Sequence, residues 1–149
     1  MYNYNSFRIP INSIPDYWSE IVPYISQALK YSAREWTPIE ILKLALDDKI
    51  QIWLTVEASK ENPNKIVCVT TTMILTFKSG KKILHILTMS GSGLKKFLSQ
   101  DQILYNFAIE KGLDAIRSEG RKGWDRFTNN KYKQIYHVYE RKINLEKGD

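Results

Sequence analysis

Three segments rich in Val, Ile, Thr and aromatic residues follow one another almost without interruption, at residues 51–58, 66–77 and 82–89. Their side chains alternate in character, the period of a strand with two distinct faces. Only Ser-Lys-Glu-Asn-Pro-Asn-Lys separates the first two, and only Lys78, Ser79, Gly80 and Lys81 separate the second pair. Neither connector can hold the dozen or more residues that a parallel crossover needs, so the three strands form an antiparallel meander. The segments before and after this meander must supply the helices that cover it.

Before it, residues 6–11 alternate Phe7, Ile9 and Ile11 with polar or small neighbours and read as a short strand bounded by Pro10 and Pro15. From Asp16, the apolar residues Tyr17, Trp18, Ile21, Val22, Ile25, Ala28 and Leu29 recur at steps of three and four, which predicts an amphipathic helix that Pro23 kinks. Thr37-Pro38-Ile39-Glu40 starts a second helix to about Asp48: Thr37 caps, Pro38 needs no N–H partner in the first turn, and Glu40 closes a capping box. After the meander, Leu94, Phe97, Leu98, Leu104, Tyr105, Ala108 and Ile109 mark one face of a helical region, one helix or two, that ends at Gly112.

Residues 111–132 then compress several elements into a short space. Gly112 suits the left-handed position past a helix end. Leu113, Ala115 and Ile116 supply a brief buried strand, and Gly120-Arg121-Lys122-Gly123 turns the chain into a helix that begins near Trp124. Such a turn presents unpaired backbone N–H groups beside two cations, which suits an anion. Residues 133–143, KQIYHVYERKI, read as a last strand, and residues 144–149 as a polar tail, which leaves one domain over 1–143.

Cys68 is the only cysteine, so no internal disulfide can form, and its Val67 and Val69 neighbours suggest a core position. The first ten residues lack the basic start and apolar core of a signal peptide, and no apolar run approaches the ~20 residues that span a bilayer. A soluble, cytoplasmic protein without a membrane partner is expected. The net charge of +6 attracts phosphate-bearing partners, but no known nucleic-acid-binding motif accompanies it, so nucleic acid is a weak expectation. His85 and His137 stand far from any carboxylate cluster, and no metal site is expected.

The summed order is strand, two helices, three strands, helix, strand, helix, strand. It predicts an α+β protein, layered α/β/α, with a mixed and mainly antiparallel sheet. Over nearly its whole length this order resembles the GNAT acyltransferase superfamily, and in particular small phage-encoded GNAT-like proteins with a Gly-Arg-x-Gly-Trp turn, present here as Gly120 to Trp124. The resemblance implies acetyl-CoA or another acyl-CoA as donor and an amine as acceptor. It places the donor's diphosphate at Met89, Ser90, Gly91, Ser92 and Gly93, where both glycines of the family's loop are present while Thr88 replaces its Arg or Gln. Arg121, Gly123 and Trp124 join this cofactor-binding set. Arg121 can grip a phosphate bidentately or fasten the turn to Glu119 or Asp125, and Trp124 can wall the groove or pack in the core.

No catalytic residue is assigned. The family's general-acid tyrosine falls on Phe127, which has no proton to give, and Tyr132 takes that role only on a shifted register. Glu57, His85 and Glu119 are the residues at hand for a general base. Two readings of function follow: an acyl-CoA-dependent N-acyltransferase with an atypical site, or a non-catalytic phage virion, assembly or host-interaction protein on the same fold. In the second, the protein resides in an infected bacterial cell or a virion, and an exposed last strand pairs with another copy or with virion proteins.

Overall fold

The computed structural model of the protein describes residues 3–30, 35–59, 61–62, 64–91, 94–119 and 131–143. Five strands, β1 (Asn3–Arg8), β2 (Gln51–Ala58), β3 (Lys65–Thr76), β4 (Lys82–Gly91) and β5 (Ala115–Ser118), lie in that spatial order in one sheet. The first four pair antiparallel, and β5 joins β4 in parallel. The meander is as its short connectors dictate. Its tight turn closes through Gly80 N–H to Phe77 O (2.9 Å) and Phe77 N–H to Lys81 O (2.8 Å).

The first strand begins at Asn3 and stops at Arg8, earlier than residues 6–11 suggest. Ile9 still donates to Ile52 O, but Pro10 has no N–H to continue the ladder, and Ile11–Ser13 curls into a single 3₁₀ turn. Helix α1 (Ile14–Leu29) follows, with Pro23 inside it, and then α2 (Pro38–Leu46). The cap of α2 is the box read from sequence: Thr37 Oγ1 accepts from Glu40 N–H and donates to Glu40 Oε1 at 2.8 Å. Helix α3 (Leu94–Glu110) is continuous and ends in a Schellman turn, with Leu113 N–H on Ala108 O, Gly112 N–H on Ile109 O, and Gly112 at φ 68°.

Strand alternation sorts the core into two layers. Ile52, Leu54 and Val69 face α1 and α2, where Ile14, Ile21, Ile25, Ile41 and Ala45 meet them in a continuous aliphatic cluster. Trp53, Leu84 and Ile86 point the other way, onto Leu104 of α3. Along α3 the buried positions are Phe97, Gln100, Asp101, Leu104 and Ala108, whereas Tyr105 and Ile109 are exposed. The apolar face read from sequence is therefore rotated, with two polar residues on the inside.

The β3–β4 register slips by one residue between Thr71 and Thr72, leaving Leu87 as the extra residue of β4. Leu87 packs in the α1 layer and Thr88 bonds Thr71 at 2.6 Å, while Met89 turns to the α3 layer. Residues 131–143 hold no strand, and Ile135, Tyr136, Val138, Tyr139 and Ile143 are exposed. The segment is tied to the rest of the molecule by hydrogen bonds that include Tyr132 Oη to Asp101 Oδ1 (2.7 Å) and Arg117 Nη1 to Tyr136 Oη (3.4 Å). Alternation alone was insufficient here: none of its backbone groups enters the ladder of β5.

Gly91 meets β3 so closely that an added Cβ would lie 2.6 Å from Val67 O and 3.0 Å from Cys68 Cα. Both are backbone atoms of a paired strand and cannot yield cheaply. Gly91→Ala is expected to lower unfolding free energy by about 1–3 kcal/mol, read by denaturant titration. An unchanged midpoint would mean that the strands separate there at no cost.

Candidate functional site

Strand β5 is anchored to β4 at its start, where Asp114 N–H donates to Lys82 O (2.7 Å) and Lys82 N–H donates to Asp114 Oδ2 (2.9 Å). From there the parallel ladder runs through Ile83↔Ala115 and Leu84↔Ile116 to its last pair, Ile86↔Ser118. Beyond Ile86, β4 continues to Gly91 with β3 as its described strand partner. Among the described residues, the edge of β4 that faces β5 is thus unladdered over its last residues, at the carboxyl ends of two parallel strands. Open α/β sheets bind ligands outside such ends, where backbone amides are available.

Met89, Ser90 and Gly91 lie on this stretch of β4: Met89 is half-buried against the α3 layer, Ser90 is half-buried opposite Val69, and Gly91 is exposed opposite Cys68. Gly91 has a packing reason to be glycine, independent of any ligand. Thr88 is buried and its hydroxyl is engaged with Thr71, so that side chain is not directed at an anion. Ser92, Gly93, Arg121, Gly123 and Trp124, with Gly120 and Phe127, lie outside the described residues. Leu113 precedes Ala115, which pairs with Ile83 at the start of the β4–β5 ladder, and packs against the cluster of Trp53, Leu84, Ile86 and Leu104.

Two of the candidate bases come together and the third does not. His85 sits one pair before the ladder ends, opposite Arg117, with its side chain 14% exposed. Its Nε2 is 4.0 Å from Glu119 Oε1, and its buried Nδ1 has no hydrogen-bond partner among the described residues. Burial lowers the His85 pKa, against the raising field of the Glu119 carboxylate; Arg117 lowers it further and Glu35 raises it. The ring is therefore a neutral imidazole near neutral pH, beside an exposed carboxylate able to stabilise the imidazolium. Glu57, by contrast, pairs with Tyr4 and Lys65, two strands away from β4.

Tyr132 Oη donates a hydrogen bond to Asp101 Oδ1, and Lys131 Nζ stands 4.0 Å from the same carboxylate. Burial raises the phenol pKa well above its ordinary value, and Asp101 raises it further through its charge and the hydrogen bond. Such a phenol stays protonated but holds its proton tightly, which makes it a poor acid toward a thiolate. Among the described residues no cluster of three or more His, Cys, Asp or Glu side chains could hold a metal ion, and no helix is long and apolar enough to cross a membrane.

No family model matches the sequence, and no curated protein matches it. Solved structures do. An aminoglycoside acetyltransferase, meta-AAC0020 from an uncultured soil metagenomic sample, superposes with a TM-score of 0.64 at 16% identity, over 94% of this chain and 97% of its own. A predicted acetyltransferase with acetyl-CoA from Clostridium acetobutylicum gives 0.64 at 15% identity, over 99% and 98%. The ribosomal-protein-alanine N-acetyltransferase of Brucella melitensis biovar Abortus 2308 gives 0.64 at 8% identity, over 95% and 100%. The chain has the fold of the GNAT acetyltransferases. The narrower likeness to phage-encoded proteins rests on the turn at residues 120–124, outside the described residues.

The ring-proton NMR titration of His85 is expected to have its midpoint below the ordinary 6.5, and Glu119→Gln should move it lower still by removing a raising charge. The sign for stability follows from linkage. Below pH 6.5 the unfolded chain binds the proton more readily than the folded one, so this histidine withdraws stability as pH falls from 6.5 to its folded midpoint. His85→Gln lacks that component. A midpoint above 6.5 would contradict the desolvated placement.

Proposed function

We propose that the protein is an acyl-CoA-dependent N-acyltransferase in which His85 is the general base, positioned by Glu119. The observation that carries this reading is the placement of a neutral, desolvated imidazole beside a carboxylate where β4 and β5 stop pairing. Acyl-CoA supplies an activated thioester and a thiolate leaving group. The unladdered edge of β4 near Met89 and Ser90 offers amide hydrogen bonds to an extended pantetheine arm, and residues Gly91 to Gly93 with Arg121, Gly123 and Trp124 hold the diphosphate. His85 takes a proton from the acceptor ammonium, leaving the nitrogen lone pair free to attack. The Glu119 carboxylate offsets the charge so formed on the ring. The ring passes that proton to water, and the second proton, which the nitrogen loses as the tetrahedral adduct collapses to the amide, goes through the ring or water to the departing sulfur, so neither Phe127 nor the tethered Tyr132 has to serve as acid.

The GNAT neighbours, one of them solved with acetyl-CoA, support the donor class. A second reading, an assembly component that keeps the fold without the chemistry, is favoured by the exposed strip Ile135, Tyr136, Val138, Tyr139 and Ile143. A strip of that kind suits contact with another copy or a virion protein.

Calorimetric titration with acetyl-CoA and thiol release with a panel of primary amines separate the two. Saturable binding below about 1 mM is expected, with turnover. His85→Gln should lower kcat by roughly 10²–10⁴-fold and leave acetyl-CoA affinity unchanged. Absence of binding in the wild type would remove acyl transfer and leave the assembly reading.

A further inference from the structure

Arg117 lies directly across the parallel ladder from His85. Its neighbour Ile116 packs into the α3 layer, so alternation along β5 turns Arg117 to the opposite face, where His85 meets Glu119. Arg117 is half-buried there, and its guanidinium is held by rings: the central carbon lies over Phe77 at 5.3 Å and over Tyr136 at 5.6 Å. Phe77 follows β3 and Tyr136 belongs to the segment beyond β5, so two distant parts of the chain converge on one cation. Its hydrogen bond to Tyr136 Oη is long, 3.4 Å, and among the described residues no carboxylate stands within ion-pair distance of it. Glu119, two residues along, is directed at His85 instead.

An arginine that only fastened β5 would take the nearby carboxylate, and one that only solvated the surface would not be set against two rings. Ring contact engages the charge of a guanidinium and restrains its plane, yet consumes none of the N–H groups along its edge. What is left is a fork of donors oriented in advance, and its complement is a carboxylate bound through two parallel hydrogen bonds. The same charge is felt at His85, whose pKa it lowers. Neighbouring strands are about 4.8 Å apart, so an amine delivered to His85 and an anionic group delivered to Arg117 fit within one small molecule.

We propose that Arg117 binds the carboxylate of the acceptor, and that the acceptor is accordingly an amino acid, with its amine at His85 and its carboxylate on the guanidinium held by Phe77 and Tyr136. This names a substrate class for the acyl-CoA reading above and rests on it. Arg117 takes no proton in the reaction; it selects the acceptor and aims its nitrogen.

The test measures turnover of glycine, β-alanine and 4-aminobutyrate against their carboxamides, with acetyl-CoA as donor, in the wild type, Arg117→Lys and Arg117→Met. In the wild type the best amino acid should exceed its carboxamide in kcat/KM by roughly 10–100-fold, as charge-assisted hydrogen bonds give. Arg117→Met should bring that ratio near unity with KM for acetyl-CoA unchanged, and Arg117→Lys, which keeps the charge without the planar fork, should fall between. Taking a ratio cancels the effect of the lost charge on His85. Should Arg117→Met fail to fold, the wild type decides by NMR: the N-acetylated amino acids should raise the His85 midpoint saturably by offsetting the Arg117 charge, and the N-acetylated carboxamides should not. A wild-type ratio near unity, a ratio that Arg117→Met leaves intact while KM for acetyl-CoA rises, or an unmoved His85 midpoint overturns the carboxylate site and leaves acyl transfer standing. A wild type that binds no acetyl-CoA overturns both.

Discussion

The parallel pairing of β4 with β5 is the constraint on which the site depends. It is short, beginning at Lys82 with the Asp114 clamp and ending at Ile86. Because β4 runs on to Gly91, part of it lies beyond the ladder with β5, and no described residue pairs with it on that side. The bulge at Leu87 adds a second effect: two successive residues share the α1 face, and Met89 is turned to the α3 layer. Backbone geometry, rather than any single side chain, creates the opening, and side chains then give it chemical character.

The two layers beside the sheet solve different problems. Under α1 and α2 the packing is aliphatic and continuous, the form that gives most stability per residue and least directional information. Under α3, hydroxyls, a thiol and a carboxamide replace part of the apolar contact, and Trp53 Nε1 bonds Thr72, which in turn bonds Gln51 (2.9 and 2.8 Å). Satisfied buried polar groups contribute little net free energy but penalise every arrangement in which they lose a partner. That layer adjoins the end of β4, where placement matters most.

Much of the architecture was legible in the sequence because local signals and global packing agree. The short connectors fixed the meander, Thr37 and Glu40 fixed the start of α2, and Gly112 marked the end of α3. Pro10 shifted the end of β1 because the ladder needs an N–H it does not have. The inner face of α3 was misjudged because periodicity counts apolar residues only; the spacing of Phe97, Gln100, Leu104 and Ala108 carries the same helical period with a polar member. Residues 133–143 alternate like a strand, yet pairing is a property of two segments and no pattern within one of them can reveal it. The meeting of His85 with Glu119 was beyond reach for the same reason: it depends on the parallel register of β4 and β5, whereas each residue alone reads as ordinary. The loop and turn assigned to phosphate were read from motif alone and extend beyond the described residues.

Trp53 lies edge-on to Phe107 at 5.2 Å, fully enclosed between β2 and α3, while Trp18 and Trp36 pack in the opposite layer. Among the described residues each side of the sheet therefore carries its own indole fluorophore. Loosening of α3 wets Trp53 and spares Trp18 and Trp36, so in a Trp124→Phe protein the intrinsic emission spectrum reports which half of the molecule gives way.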